Sequence, residues 1–583
     1  MARNMCEDER IVEGPGLPPA LVLKDINIGQ FLDQQAEKHA TNTALVSTWQ
    51  DARLTYGDLH NSCKSVAKHL LQRGVRRHDH VVVLAGNSVE YVQLFFAVAA
   101  IGAVFCIINP TFAADEVLAA VEFLDPKAIF VADRIGYRKN NALLAELVNR
   151  RGLTTCLVQL TTGKPTESVP SWREFLQMEQ MDGDGSDLLA QNWATCHPGD
   201  AVCIQFTSGT TGPRKGAMIT HTNLLSNAVL VGDRLGYTAA DVVCSTTPLF
   251  HCFALGCGLL STVAYGGTVV LPSDVFLAGA TLQALSKFKC TVIHSVATML
   301  QAMMDHPDAS IHRPNMVLRT GIIGGSALTK ELLTRLSAEF GYHGVAYGYG
   351  MTEATCIVFM TDPSKVSLLD DFSSVGTLLP SLSAKVVDAD LQTLPAGTPG
   401  ELLVAGHCVF REYYKNPGKT EEAVVRDAQG RRWLRTGDLV TIDEAGRCAM
   451  IGRVKDMIKR GGENIFPRDV EEVLEQHPSI HAAAVVGIPD PYWGEIVGAF
   501  IQRAKAGDGD RAADREAESQ AQAHVGSKEL KLWMRGRIQP HKMPEHLFWI
   551  GEGNGVPDEL PVNYTGKVVK SDLRAAATVL VKG

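Results

Sequence analysis

The sequence lacks three features that would each have pointed to a particular class of protein. It has no excess of basic residues, because 55 lysines and arginines stand against 64 aspartates and glutamates, a net charge of −9. It has no Cys-x-x-Cys pair among its 13 cysteines, which are scattered from Cys6 to Cys448. Its longest uncharged apolar stretch, Leu94 to Ile108, has 15 residues, short of the roughly 18 that suggest a membrane span.

Each of these absences disfavours a function. A chain without a basic surface lacks the electrostatic footprint of a nucleic-acid-binding protein, so no nucleic-acid partner is expected. Scattered cysteines favour reduced thiols over a disulfide framework or a zinc site. We interpret Leu94–Ile108 as a buried helix running into a strand, and expect no membrane span. The acidic start, MARNMCEDERIVEG, and the final LVKG resemble no secretory or peroxisomal signal, so we expect a cytoplasmic protein.

The chain does contain enough apolar sequence for more than one domain. It has 583 residues, of which 45% are hydrophobic, and single cores stop growing near roughly 250 to 300 residues. Short apolar runs, such as HVVVLAG (80–86) and DAVCIQF (200–206), alternate with segments of helical spacing. This alternation predicts an α/β fold with parallel sheets covered by helices.

Residues 206–216 read FTSGTTGPRKG and combine three glycines, four hydroxyls and two cations. The stretch follows an apolar run and precedes AMITHTNLLSNAVL, whose helical spacing predicts the order strand, loop, helix. Backbone N–H groups and hydroxyls of such a loop can surround phosphate oxygens, and Lys215 adds a positive charge. No Walker A register fits the stretch. The composition therefore favours a different kind of phosphate-binding loop over an ordinary polar surface loop.

This loop resembles the signature of the adenylate-forming superfamily, which includes acyl-CoA synthetases, aryl-CoA ligases, amino-acid adenylation domains and beetle luciferases. Arg214 departs from that signature, because it stands where the family usually has proline. Further motifs follow in the family's order over nearly the whole chain: PLFH (248–251), GGSA (324–327), YGYGMTE (347–353), GELLVAG (400–406), RTGDL (435–439), GRVKDMIKRGGENI (452–465) and YTGKVVKSDLR (564–574). The set most resembles a medium- or long-chain fatty acyl-CoA ligase.

The resemblance implies a fold of two unequal domains. Residues 1–452 would form a large N-terminal AMP-binding domain of parallel-sheet α/β subdomains plus a β-barrel-like subdomain. Residues 453–456 would form a hinge that contains Lys455, and residues 457–583 a small, mobile C-terminal α+β domain. Pro467 can begin a helix of this lid. In relatives the lid rotates between two half-reactions and presents a glycine face, here Gly461 and Gly462, to the CoA tunnel.

The resemblance also assigns roles to side chains at the nucleotide. Glu353 would hold Mg²⁺, Tyr349 would stack on adenine, and Asp438 would accept the ribose hydroxyls. Lys567 would bridge the substrate carboxylate and the α-phosphate, where it offsets their repulsion. The catalytic positions are thus Lys567, Glu353, Thr352 and His251. The full ATP-binding set is Thr207, Ser208, Gly209, Thr210, Thr211, Gly212, Lys215, Gly325, Tyr349, Thr352, Asp438, Arg453 and Lys567.

The acyl pocket is expected at six motif positions: His251, Gly324, Gly325, Ser326, Gly350 and Met351. No ionised side chain lies between Cys252 and Thr262, and His251 replaces the aspartate that amino-acid-activating relatives carry. An amino-acid substrate is therefore disfavoured, and an apolar acid is favoured. His251 is either a gate beside the acyl carbonyl or a core histidine. The methionines at 299, 303 and 304 either line the pocket or belong to the core.

The implied reaction joins a carboxylic acid to CoA through an acyl adenylate, with ATP, Mg²⁺ and CoA as cofactors and co-substrates. A carrier protein with a phosphopantetheine thiol is an alternative acceptor, and a coumarate-like aryl acid is an alternative substrate. An inactive binding homologue is a further alternative. The Gly-x-Gly-x-x-Gly of dinucleotide-dependent oxidoreductases and the Gly-x-Ser-x-Gly of many hydrolases are both absent, which disfavours those two classes.

Overall fold

The computed structural model describes residues 11–17, 26–150, 156–160, 169–177, 195–207, 215–325, 328–365, 373–504, 525–562 and 568–582. Within these ranges no helix combines the length and the apolarity that crossing a bilayer requires. The α-helices are Ile28–His39, Tyr56–Gln72, Val89–Ala100, Ala114–Leu124, Asn141–Asn149, Trp172–Gln177, His221–Arg234, Ser261–Ala264, Ala278–Lys287, Ala297–Met304, Ala309–His312, Lys330–Phe340, Pro417–Ala423, Pro467–Glu475, Ser527–Met534 and Lys570–Lys582. Short 3₁₀-helices span Arg313–Asn315, Thr352–Ala354, Val454–Asp456 and Pro540–Lys542, and a π-helix spans Phe253–Leu260.

A seven-stranded sheet forms the first layer of the N-terminal region. Its strands lie in the order Glu412–Tyr413, Lys215–Thr220, Ala201–Thr207, Val104–Ile107, His80–Leu84, Ala128–Ala132 and Cys156–Leu160. The last five are parallel to one another. Such strands are buried on both faces, which is why they read as runs of Val, Ile and Phe. The helix Val89–Ala100 buries every residue except Glu90 and Gln93 and leads to a strand of this sheet, so the prediction for Leu94–Ile108 is confirmed.

A second sheet of five strands follows the same rule. Its order is Val292–His294, Val242–Ser245, Thr268–Leu271, Thr43–Ser47 and Ala52–Thr55, and the first four strands are parallel. Isolated parallel bridges at Val292 and Ser295 connect it to a four-stranded sheet made of Gly321–Gly324, Val345–Tyr349, Phe359–Met360 and Thr377–Leu378. The predicted parallel sheets covered by helices are therefore confirmed.

A third subdomain is antiparallel. Its path runs Val12–Glu13, Leu382–Val387, Gly400–Gly406, Arg432–Ile442 and Val424–Arg426, and Cys448–Arg453 also pairs with Arg432–Ile442. A small two-stranded sheet, Arg134–Ile135 with Arg138–Lys139, lies elsewhere in the N-terminal region. The antiparallel sheet matters for the site because its long strand carries Asp438 and its last strand ends at Arg453.

The chain changes sheets immediately after Arg453. Strand Ile458–Arg460 belongs to a separate five-stranded sheet with Glu463–Ile465, Gly494–Arg503, Ile480–Asp490 and His546–Trp549. Pro467 occupies the first turn of helix Pro467–Glu475, where its missing N–H is not needed, so that helix start is confirmed. The proposed boundaries 1–452, 453–456 and 457–583 remain a prediction. The chain leaves the antiparallel sheet at Arg453 and enters the next sheet at Ile458, so the change of sheet coincides with the proposed hinge.

Candidate active site

The phosphate-loop motif lies between two antiparallel strands. Thr207 ends the strand Ala201–Thr207, and it pairs with Lys215, which begins the strand Lys215–Thr220. The predicted order of strand, loop, helix is therefore wrong, because a second strand, Lys215–Thr220, precedes the helix, which begins at His221 and is capped by Thr220. The helical spacing that we noted belongs to residues 221–234. Ala217 and Ile219 are instead buried on the strand Lys215–Thr220.

Glu353 lies in a 3₁₀ turn, Thr352–Ala354, which is separated by two residues from the end of the strand Val345–Tyr349. Its side chain is buried, and its Oε1 accepts a hydrogen bond of 2.7 Å from the Tyr413 hydroxyl. Its backbone carbonyl accepts from the Phe410 N–H at 2.9 Å. A buried carboxylate needs such partners. The turn is therefore fixed from the side of residues 410–413.

Asp438 is the centre of a second polar group. Its Oδ2 accepts a hydrogen bond of 2.7 Å from the Tyr349 hydroxyl, and its Oδ1 lies 3.0 Å from Arg453 Nε in an ion pair. Asp438 and Arg453 face each other in register on neighbouring strands. Burial and the Asp438 charge hold the pKa of Tyr349 well above its ordinary value, so Tyr349 stays a neutral donor. The structure thus brings together three residues that sequence motifs predicted separately.

Positive charges converge near the phosphate loop. Partial burial lowers the pKa of Lys455, and the charges of Arg453 and Lys215 lower it further. Lys455 lies in the 3₁₀ helix Val454–Asp456, the predicted hinge. Like charges close enough to influence one another mark a site that an anion would stabilise. The triphosphate of ATP is an anion of this kind.

The two glycines predicted for the CoA tunnel form a hairpin turn. Gly461 and Gly462 connect the paired residues Arg460 and Glu463, and both have positive φ, at 56° and 90°. Two-residue hairpins with positive φ at both central positions favour glycine. A Cβ on Gly461 would also lie 2.7 Å from the Trp493 ring. These glycines are therefore required by the turn itself, and their role in CoA binding remains a prediction.

A π-helix begins two residues after His251. It spans Phe253–Leu260, and seven of its eight residues are buried. Such helices are rare and are frequent at functional sites. Cys252, which precedes it, has its Sγ 3.9 Å from the Thr352 hydroxyl oxygen. The thiol of Cys252, the residue next to His251 in the chain, therefore lies near Thr352.

Among the predicted acyl-pocket glycines, Gly350 has a backbone reason to be glycine. A Cβ at this position would lie 1.4 Å from the Cys356 carbonyl oxygen. Gly324 is less confined, because its nearest neighbour would be the Gly348 carbonyl oxygen at 3.2 Å. Gly325 is exposed, with a φ of 81°. Met351 is half-buried against the core that contains Cys252 and Cys257, and its role in the acyl pocket remains a prediction.

Met303 and Met304 are core residues. They are buried together with Leu285, Leu300 and Leu333, in a cluster formed by the helices around 278–340. This packing favours the core alternative over pocket lining for both. Met299 is half-buried.

Part of the predicted site falls outside the described residues. These positions are Ser208, Gly209, Thr210, Thr211, Gly212, Arg214, Ser326 and Lys567. Their predicted roles at ATP and in the acyl pocket therefore remain predictions. The described ends of the phosphate loop, Thr207 and Lys215, define where it begins and ends.

The sequence reasoning missed Tyr413. The motif-like stretch REYYKNPGKT contains two adjacent tyrosines, of which Tyr413 ends a short strand and Tyr414 follows it. Only the structure identifies Tyr413 as the residue whose hydroxyl contacts Glu353. The sequence showed the pair of tyrosines, but nothing in it indicated that Glu353 is the partner of one of them.

Comparison with known proteins supplies independent evidence. The profile of the family described as AMP-binding enzyme matches residues 32–414, and the profile of the AMP-binding enzyme C-terminal domain matches residues 469–562. The acyl-CoA ligase sidI of Beauveria bassiana is 39% identical over 98% of this chain and 95% of its own length. The mitochondrial medium-chain acyl-CoA ligase ACSF2 of Danio rerio is 31% identical over 95% of this chain and 88% of its own length.

The solved structures agree with these relatives. The anthranilate CoA ligase AuaEII, in complex with anthranoyl-AMP, superposes with a TM-score of 0.79 and 25% identity over 97% of this chain and 99% of that one. Its similarity confirms the predicted α/β fold. The predicted enzyme class, an acyl-CoA ligase, is confirmed by the full-length relatives. The chain belongs to the AMP-binding enzyme family.

Proposed function

We propose that the protein activates an apolar carboxylic acid with ATP and transfers the acyl group to CoA. One observation carries the proposal: Glu353, the pair of Asp438 and Arg453, and the cation Lys215 come from four separate chain segments and are fixed in one region by hydrogen bonds and charge. Each of these residues was assigned to ATP from its motif. Their convergence supports a nucleotide site.

In the first half-reaction the substrate carboxylate attacks the α-phosphorus, and the bond from this atom to the pyrophosphate oxygen breaks. The chain supplies no nucleophile for this step, so its residues act by orientation and charge. Lys215 and Lys455 offset the negative charge of the phosphates. Asp438 retains lone pairs for ribose hydroxyls beyond those that face Tyr349 and Arg453. Lys567 is proposed to meet the carboxylate and the α-phosphate at once.

The donor set fits a magnesium ion. Glu353 is a buried carboxylate whose Oε1 accepts from Tyr413, and no hydrogen bond among the described residues engages its Oε2. Mg²⁺ prefers oxygen ligands and is often held by one or two carboxylates together with substrate phosphates. When bound, the ion would neutralise phosphate charge. Glu353 is the residue that would hold it.

In the second half-reaction the thiol of CoA attacks the acyl carbonyl, and AMP leaves. The hairpin at Gly461–Gly462 offers a backbone surface without side chains, which supports its assignment to the pantetheine tunnel. The predicted hinge at 453–456 directly precedes this sheet. A rotation of the C-terminal region at this hinge would let the same site carry out first the adenylation and then the thioester-forming reaction.

The acid that we propose is a medium- to long-chain fatty acid or a related apolar carboxylic acid. The wall beside His251 is the π-helix, whose buried residues are Ala254 to Leu260 without one ionisable carboxylate or amine. An ammonium group placed there would lack a counter-charge, at a large desolvation cost. The relative ACSF2 of Danio rerio is named a medium-chain acyl-CoA ligase, which is in keeping with this class.

Two further points belong to the proposal. We place the protein in the cytoplasm, because its 12 described cysteines are all free thiols and none but Cys156 is more than slightly exposed. Reduced thiols are typical of that compartment. We also take CoA as the acceptor, with a carrier-protein thiol as the outcome that the experiment must separate.

The test is pyrophosphate release from ATP and Mg²⁺ across fatty, aryl and amino acids, each with and without CoA. We expect fatty acids to give AMP and the acyl-CoA, and amino acids to give no release above an acid-free control. Adenylate formation with no CoA thioester would replace CoA by a carrier protein. Release with aryl acids alone would overturn the fatty-acid assignment, and no release with any acid would overturn the ligase proposal for these classes.

A further inference from the structure

The segment His407–Tyr414 lies between the phosphate-loop strand and the turn of Glu353. On one side Tyr414 N–H donates to the Gly216 carbonyl at 2.8 Å, and Tyr413 pairs with Ala217. On the other side Phe410 N–H donates to the Glu353 carbonyl at 2.9 Å. The segment therefore connects the two parts of the site that handle phosphate and metal.

Tyr413 is the side chain of this segment that faces both parts. Its hydroxyl donates to Glu353 Oε1 at 2.7 Å, and it is 5% exposed. Lys215 Nζ lies 4.9 Å from the centre of its ring, a cation–π distance. Burial and the Glu353 charge raise the pKa of Tyr413, so its hydroxyl stays protonated and keeps donating. One residue thus touches the predicted metal ligand and the predicted phosphate cation.

We propose that Tyr413 is a positioning residue for ATP activation: its hydroxyl holds one oxygen of Glu353 so that the other faces the metal–phosphate group, and its ring seats Lys215. This inference rests on the proposed function, in which Glu353 holds Mg²⁺. Partners that orient a metal-binding carboxylate typically change metal affinity or activity 10- to 100-fold when they are removed. Tyr413 needs no contact with substrate to have this effect.

A structural role is the competing explanation. The Tyr413 ring also packs edge-on against Phe410, with ring centres 4.7 Å apart, so the residue contributes to the core. Tyr413→Phe keeps the ring, its packing and the contact with Lys215, and removes the hydroxyl alone. A loss caused by this change therefore reports on the hydrogen bond to Glu353.

The neighbouring tyrosine supplies the matched control. Tyr414, the next residue along the chain, packs instead against Phe123 and His80, with ring centres 5.4 Å and 4.9 Å away. Tyr414→Phe removes the same atom one residue along the chain. It should bind ATP as the wild type does. Thermal unfolding of both variants checks that each is folded.

The experiment measures ATP affinity by calorimetry in saturating Mg²⁺, without acid or CoA, for the wild type, Tyr413→Phe, Glu353→Gln and the double variant. We expect Tyr413→Phe to weaken binding about 10-fold or more, and to add nothing in the Glu353→Gln background, because the two residues act as one unit. Because no acid or CoA is present, this result is independent of which acid is the substrate.

Two results would overturn the proposal. Wild-type affinity in Tyr413→Phe would show that the hydroxyl does not matter for ATP and metal. An equal loss from Tyr413→Phe with and without the Glu353 carboxylate would show that Tyr413 acts through the fold. Failure of acyl-CoA synthesis with every acid would leave both of these binding measurements intact, so it is a separate outcome.

Discussion

The proposed nucleotide half of the site is held by polar pairs, whereas the proposed acyl half is held by packing. In the first half, Glu353 bonds to Tyr413, and Asp438 bonds to Tyr349 and pairs with Arg453. In the second, the π-helix Phe253–Leu260 packs its thiol Cys257 against Cys356, with the two sulfurs 3.4 Å apart. These sulfurs and the apolar residues around them would contact a substrate through shape and polarisability, and not through charge.

This difference separates two kinds of requirement. A buried polar pair fails when either partner is removed, because the other is left unsatisfied. An apolar wall tolerates a change of residue if its volume is roughly kept. The nucleotide half should therefore accept few substitutions without losing the reaction. The acyl half should accept more of them and respond with a changed choice of acid.

The largest effect should come from the nucleotide half. Lys567→Ala should reduce acyl-adenylate formation about 1,000-fold, because it removes the charge proposed to bridge two anions, while folding stays intact. ATP–pyrophosphate exchange with the best acid measures this step, and circular dichroism checks the fold. Exchange at the wild-type rate would remove Lys567 from the mechanism and weaken the contrast between the halves.

A change at the junction of the halves should rank second. In Gly350→Ala the new Cβ would overlap the Cys356 carbonyl oxygen, so the backbone between Tyr349 and Glu353 must shift. Displacing reacting groups by about 1 Å can cost about 100-fold in rate, and we expect that loss in kcat/KM for acid and ATP alike. Gly418→Ala is the control, since a Cβ there meets nothing within 4 Å. Equal activity of the two variants would contradict the close approach.

A change inside the acyl half should be smaller and selective. Met351→Ala removes volume from the half-buried wall and should shift the ratio of kcat/KM between a longer and a shorter fatty acid about 10-fold. The KM for ATP should stay as in the wild type. Steady-state kinetics with two acids and varied ATP tests both statements. A parallel change in the KM for ATP would show that the two halves are not separable.

The smallest effect should be a loss of folding stability at low pH, caused by His294, which lies beside the π-helix. Burial lowers the pKa of His294 to about 4, and its ring lies edge-on to Phe253 of the π-helix at 5.7 Å. In the unfolded chain its pKa is about 6.5, so the unfolded state binds the proton first as pH falls. The contribution of His294 to the free energy of unfolding is therefore complete above pH 6.5. It falls by about 1.4 kcal/mol per pH unit as the pH decreases from 6.5 to 4.

Urea midpoints at pH 7.5 and 5.5 test this expectation. His294→Gln should show a smaller drop between the two pH values than the wild type. The exposed His343 gives the control, and His343→Gln should show the wild-type drop. An unchanged drop in His294→Gln would mean that this histidine does not set the acid limit. His221, whose pKa burial lowers to about 3, would then be the next variant to measure.

Motifs in the sequence were enough to propose most of the nucleotide half, because its chemistry needs particular residue types at particular spacings. Glu353, Asp438, Arg453 and Lys215 were each identified from motifs, and the structure brings them into one region. Tyr413 was not identified, because its partner lies 60 residues away in the chain. Long-range hydrogen bonds leave no local pattern.

The local structure after the phosphate loop was mispredicted for a related reason. The helical spacing of residues 221–234 is strong, and it hid the strand at Lys215–Thr220, which depends on pairing with Ala201–Thr207. The π-helix was also missed, because Phe253–Leu260 is apolar on every side and shows no period. Propensity yields to tertiary pairing in the first case, and burial erases the pattern in the second.

The short strand that carries Tyr413 also has a consequence for self-association. It is an edge of the seven-stranded sheet and has only two residues, Glu412 and Tyr413. Exposed edges offer unpaired N–H and C=O groups to other chains. Here the exposed charges of Arg411 and Lys415 flank the edge, and a helix begins at Pro417. The short strand that holds the contact to Glu353 thus leaves little backbone on which a second molecule could add a strand.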